Sequence, residues 1–177
     1  MKKTFLTLIV LAITTIGFSQ KMITKTGTIK FDATVPGALD PVVGTSTTVS
    51  AIFDKTTTEL VTQVQVKSFK FKSPLMEEHF NENYMESDKL PKSNFKGKVV
   101  GFAGKSGSYE VEGELSIHGV TNKVKQKMNV TVEGNKVEIN GNFIVKLIDY
   151  KLEVPAMAKK TLAETAKISL KLDLENK

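Results

Sequence analysis

The chain has 177 residues, no cysteine, no tryptophan and a formal charge of +6. Without Cys there is no disulfide framework, no lipid-anchoring cysteine, no thiolate metal site and no thiol nucleophile. The basic excess comes from lysines spread along the chain, with no Arg and no Trp to stack bases, which argues against nucleic acid as a partner and is compatible with weak, transient contact with an anionic membrane surface.

Lys2 and Lys3 precede the uncharged run Phe5–Ile16, and Gly17-Phe18-Ser19 puts small residues at both positions that a signal peptidase reads. The run is too short to span a membrane. Residues 1–19 are therefore expected to be a signal peptide cleaved before Gln20. Residues 20–177 are expected to form one exported domain, periplasmic or secreted and soluble, large enough to bury a core without cross-links.

Strand patterns follow almost throughout. Ile29, Phe31, Ala33 and Val35 alternate with polar residues, as do Val49, Ala51 and Phe53 after the turn-rich segment PGALDPVVG. A turn at Asp54-Lys55-Thr56-Thr57 leads into Leu60, Thr62, Val64 and Val66. The inward parity then slips to Phe69 and Phe71, which predicts a bulge near Lys67-Ser68. One short helix is expected next. Ser73 can cap it, Pro74 suits its first position, and Glu77 and Glu78 favour its positive end. Met76, Phe80 and Tyr84 fall on one face, and the helix ends before Pro91. A second helical or loop segment is expected over Pro155–Glu164, and a last strand points Ala166, Ile168, Leu170, Leu172 and Leu174 inward.

The stretch SYEVEGELSIHGVTNKVKQKMNV reads as a hairpin. Tyr109, Val111, Leu115 and Ile117 share a face with Gly113, while Glu110, Glu112, Glu114, Ser116 and His118 share the other. On the return strand Val124, Met128, Val130 and Val132 are apolar and Lys123, Lys125 and Lys127 point away. Opposed residues must sum to an odd number, which sets glutamates against lysines, for example Glu114 against Lys125 and Glu112 against Lys127. Gly134-Asn135 then forms a two-residue turn that places Glu133 opposite Lys136 and Val132 opposite Val137. The inward set becomes Val137, Ile139, Phe143, Val145 and Leu147. His118 lies on the outer parity at a turn, which gives it a structural role.

About eight such strands, each with one apolar face, favour a mainly β, antiparallel barrel with one short helix. Its interior is either filled or holds one small ligand. Gly113, Gly141, Ala33 and Ala51 lie inward, which means either space for a ligand or tight bends. A hydrolase would need a nucleophile, a base and an orienter, and the chain has no Gly-x-Ser-x-Gly and no inward acidic pair. The two histidines fall on different elements without an acidic cluster, so no metal site and no cofactor are expected.

Three stretches carry a family resemblance. VKSFKFKSPLMEEHFNENYMESDKLPKSNFKGKV, YEVEGELSIHGVTNKV and the closing AKISLKLDLE resemble the YceI-like family of exported lipid-binding proteins, from about Phe69 to the C-terminus. The N-terminal part departs from the family pattern, with Thr26-Gly27 and Asp32-Ala33 at positions where histidines are usual. The resemblance implies a lipocalin-like barrel with an apolar tunnel for a long-chain amphiphilic lipid, often an isoprenoid such as a quinone, bound without catalysis. It places His79 near the barrel mouth, within reach of a headgroup; a helix histidine bonded to backbone is the alternative. The residues expected to line the ligand are Phe69, Phe71, Met76, His79, Phe80 and Tyr84, together with Val111, Leu115, Ile117, Met128, Ile139, Gly141 and Phe143. A ligand-free structural or stress-protective barrel is the competing reading. The oligomeric state stays open, a homodimer included.

Overall fold

The computed structural model describes residues 21–176; the expected signal peptide and its expected cleavage site before Gln20 lie outside them. Nine strands are present among these residues: β1 (Lys21–Thr34), β2 (Val43–Asp54), β3 (Glu59–Gln65), β4 (Lys70–Phe71), β5 (Lys92–Val100), β6 (Gly107–Ile117), β7 (Val120–Glu133), β8 (Lys136–Lys146) and β9 (Leu162–Asn176). All pairings are antiparallel. The order β1-β9-β8-β7-β6-β5-β3-β2 is closed by β1 pairing with β2, giving the expected eight-stranded barrel. The two-residue β4 adds to the start of β2 as an extra strand.

Between β3 and β4 the parity slip has a different cause from the expected bulge. Val66–Ser68 form a 3-10 turn, which buries Val66 and returns the chain so that Phe69 and Phe71 face inward. The helix, α1 (Pro74–His79), starts as its residues dictate, with Ser73 Oγ accepting from Met76 N at 3.4 Å and Pro74 at the first position. It then widens into a π turn over Phe80–Tyr84, where Met85 N donates to Phe80 O at 2.9 Å. The segment expected to be helical or loop over Pro155–Glu164 is a loop holding one 3-10 turn, Ala156–Ala158, and β9 begins within it, at Leu162.

The hairpin of β6 and β7 keeps the odd-sum rule and takes, of the registers that rule leaves open, the one two residues from the Glu114–Lys125 example. Glu114 pairs with Lys123 and Glu112 with Lys125, so the loop is only His118-Gly119. Both take positive φ, 49° and 72°, which matches the twist of the flanking strands. The β7–β8 turn is as predicted, with Glu133 opposite Lys136 and Val132 opposite Val137. That ladder stops at Asn129–Asn140, beyond which β7 stays paired only with β6, and β8 only with β9.

Two apolar clusters divide the interior. At one end Met22, Phe53, Val137, Leu172 and Leu174 are fully buried, and Phe102 from the β5–β6 turn packs edge-on against Phe53 with ring centres 5.2 Å apart. This end is closed. At the other end Ala33, Val66, Met85, Val145, Tyr150 and Ile168 form a thinner layer around an opening.

His118 ties that open end together. Its Nδ1 lies 3.3 Å from the Tyr150 carbonyl and its Nε2 3.5 Å from Glu86 Oε2, so three separate connections meet at one ring that is 15% exposed. The second distance is too long for a hydrogen bond, and Nε2 is otherwise unpartnered among the described residues. His118→Asn is expected to keep the fold and the register, because Asn tolerates positive φ. Losing the ring's contacts should cost about 1 kcal/mol, seen as a lower denaturant midpoint with an unchanged slope.

Candidate functional site

The barrel encloses a cavity of about 770 Å³, open at the end where α1 sits. Ligand pockets commonly span about 300–1,000 Å³, and an interior packed to ordinary density leaves no void of this size. Val49, Leu60, Val111, Met128 and Ile139 line it toward the closed end. Ile29, Phe31, Leu115, Ile117, Phe143 and Leu170 form its walls and are only half-buried although they point inward, because they face empty space.

A phenylalanine cluster shapes the mouth. Phe31 on β1 stacks on Phe80 at 5.2 Å and meets Phe69 and Phe71 edge-on or tilted, each at 5.6 Å. Phe71 and Phe80 lie 5.0 Å apart. Because Phe80 lies in the π turn that continues α1, these contacts dock the helix against the barrel rim. An ion pair supports the same docking: Lys70 Nζ donates to Glu77 Oε1 at 2.6 Å, and Phe71 N donates to Glu77 Oε2 at 3.3 Å. The Lys70 ammonium holds the Glu77 carboxyl below its ordinary value.

Of the residues expected to line a ligand, Phe69, Phe71, Met76, His79, Phe80, Tyr84, Val111, Leu115, Ile117, Met128, Ile139 and Phe143 all border this cavity. Gly141 does not. A Cβ there would lie 2.2 Å from Met128 Sδ, so the Met128 side chain covers the space that parity alone assigned to a ligand. Gly113 likewise marks a close approach of strands: a Cβ would lie 2.3 Å from the Lys96 carbonyl and 2.4 Å from Gly97 Cα. His79 is exposed at the rim, its Nδ1 3.0 Å from the Asn83 amide rather than bonded to backbone.

Sequence reasoning omitted Phe31, the centre of the mouth cluster, although its inward parity was evident. It also omitted Gln126, which lies between Val124 and Met128 on the inward parity of β7 and lines the cavity. Among the described residues no three His, Asp or Glu side chains come together as a metal site would require.

An antiparallel barrel closed at one end around an apolar cavity, with a short helix over the rim, defines the lipocalin-like class of binding folds. The YceI-like domain pattern matches residues 12–174, and the chain belongs to that family. Among solved structures it is similar to a polyisoprenoid binding domain from Saccharophagus degradans, implicated in plant cell wall breakdown, with a TM-score of 0.75 at 15% identity over 89% of this chain and 99% of that one. It is also similar to BcnA from Burkholderia cenocepacia, with a TM-score of 0.70 at 16% identity over 83% and 95% of the two chains. A third similar structure is the Campylobacter jejuni YCEI protein, with a TM-score of 0.65 at 16% identity over 79% and 88%. At these identities the likeness concerns the fold. No curated protein sequence matches the chain.

Proposed function

We propose that the protein binds one long apolar chain, isoprenoid or similar, inside the barrel and carries or sequesters it in the cell envelope without chemical conversion. The carrying observation is the apolar cavity of about 770 Å³, walled by half-buried side chains that have no packing partner across it. Family membership and the polyisoprenoid-binding neighbour support the ligand class. Burial of each methylene contributes about 0.8 kcal/mol, and association costs several kcal/mol. A useful affinity therefore needs a long chain, which a cavity of this size accommodates. The leader-like N-terminal pattern supports an exported, periplasmic or secreted location.

Mass spectrometry of organic extracts from the protein purified from its own source tests this reading. A stoichiometric lipid with a long apolar chain is the expected result; an empty, stable barrel would favour the ligand-free structural alternative.

The rim supports exchange with membranes as part of this reading. Leu39 is 97% exposed, Met157 90% and Leu75 59%; Leu39 and Leu75 border the mouth, and Met157 adjoins Ala158, which does so too. These three come from separate segments around one opening and suit shallow insertion among lipid headgroups. Replacing all three with Ser is expected to slow lipid transfer between vesicles several-fold, by more than it weakens affinity in solution.

A further inference from the structure

Along β7 the inward parity carries two side-chain amides, Asn122 and Gln126, among apolar neighbours. Asn122 is satisfied, its Nδ2 donating to the Asp149 carbonyl at 2.7 Å. Gln126 differs. It pairs across the ladder with Val111, is flanked on its own face by Val124 and Met128, and borders the cavity together with all three. Its amide makes no side-chain hydrogen bond among the described residues, while the polar side chains nearby on β6 and β7 that do so, Ser116, Thr121 and Asn122, engage one another or the Asp149 carbonyl. An apolar cargo that expels water from the cavity would leave this donor and acceptor unpaired in a low-dielectric site, which is unfavourable.

We propose that the cargo carries a neutral oxygen function, a hydroxyl or carbonyl, bound toward the inner end of the cavity against Gln126, with the apolar chain running outward to the mouth. This rests on the apolar-chain reading above and adds the orientation and the headgroup chemistry. A primary amide offers an N–H to a carbonyl and both N–H and C=O to a hydroxyl. The group is neutral because the charged side chains bordering the cavity, Asp40 and Lys72, belong to the mouth-end β1–β2 connection and the segment before α1. An ionised head beside Val111 and Met128 would have no counter-charge.

The test uses delipidated mature protein and displacement of N-phenyl-1-naphthylamine fluorescence by farnesol and by farnesene, the corresponding hydrocarbon. Wild type is expected to favour farnesol by about tenfold, the scale of one buried hydrogen bond gained against one amide left unpaired. Gln126→Leu should abolish that preference by weakening farnesol alone, and Gln126→Met should repeat the result with a side chain of similar shape. His79→Ala should leave the preference intact. Preference that survives in both Gln126 variants, or that disappears in His79→Ala, would mean a head-out orientation and overturn the proposal. Equal binding of both compounds to wild type would overturn it as well while sparing the apolar-chain reading. Displacement by neither compound would remove both.

Discussion

Leu115→Trp combined with Ile29→Trp is expected to weaken binding of a long-chain lipid at least tenfold while leaving thermal stability equal or higher. The two residues stand on β6 and β1, on opposite walls in the cyclic strand order, and both are half-buried because they border the cavity. Indole rings from the two sides would occupy space that a chain otherwise fills. Each excluded methylene forfeits about 0.8 kcal/mol, so two already exceed the roughly 1.4 kcal/mol that separates tenfold steps in affinity. In a packed interior the same substitutions would overfill the core and typically cost about 1–3 kcal/mol each. Stability and lipid titration measured together on the double variant separate the two cases. A destabilised protein with undiminished binding would exclude the cavity as the binding site.

Gly113→Ala is expected to destabilise the protein by about 3 kcal/mol or more, in the range of substitutions that force backbone apart. Gly113 and Gly97 face each other in the β5–β6 ladder. An added Cβ at Gly113 meets the Lys96 carbonyl at 2.3 Å and Gly97 Cα at 2.4 Å. Those atoms belong to the neighbouring strand and cannot rotate away without breaking the ladder. Gly141→Ala is the instructive contrast. Its close contact at 2.2 Å is the Met128 thioether, a flexible side-chain atom, and Met128 also borders the cavity into which it can swing. The expected result is a cost near 1 kcal/mol or less, as for tolerated changes in core shape, with some loss of ligand volume. Denaturant midpoints of the two variants, with lipid capacity for the second, check both statements.

Much of the architecture was legible in residue order. Period-two alternation identified most of the barrel strands, and Ser73-Pro74 marked where α1 begins. Gly134-Asn135 set the β7–β8 register through a two-residue loop, because so short a turn leaves one pairing. The same logic left the β6–β7 register open by two residues. Either odd sum satisfies the alternation and sets Glu against Lys, and surface ion pairs are too weak to choose. The choice came from His118-Gly119 adopting positive φ at both positions, and from the His118 ring reaching Tyr150 and Glu86, which are distant in sequence.

The sequence by itself determined the inward and outward faces, the family and the identity of most cavity-lining side chains, since these follow from local periodicity and short motifs. Only the tertiary structure decided whether those inward faces meet or leave space. Gly113 and Gly141 carry the same local signal, an inward glycine in a strand, yet one receives a neighbouring backbone and the other a methionine side chain. Asn122 and Gln126 share a parity on β7, yet only Asn122 finds a carbonyl, supplied by a turn after β8. The physical reason is common to both pairs. Alternation fixes the direction of a side chain, whereas strand spacing, curvature and the connections brought over the barrel end determine what lies in that direction.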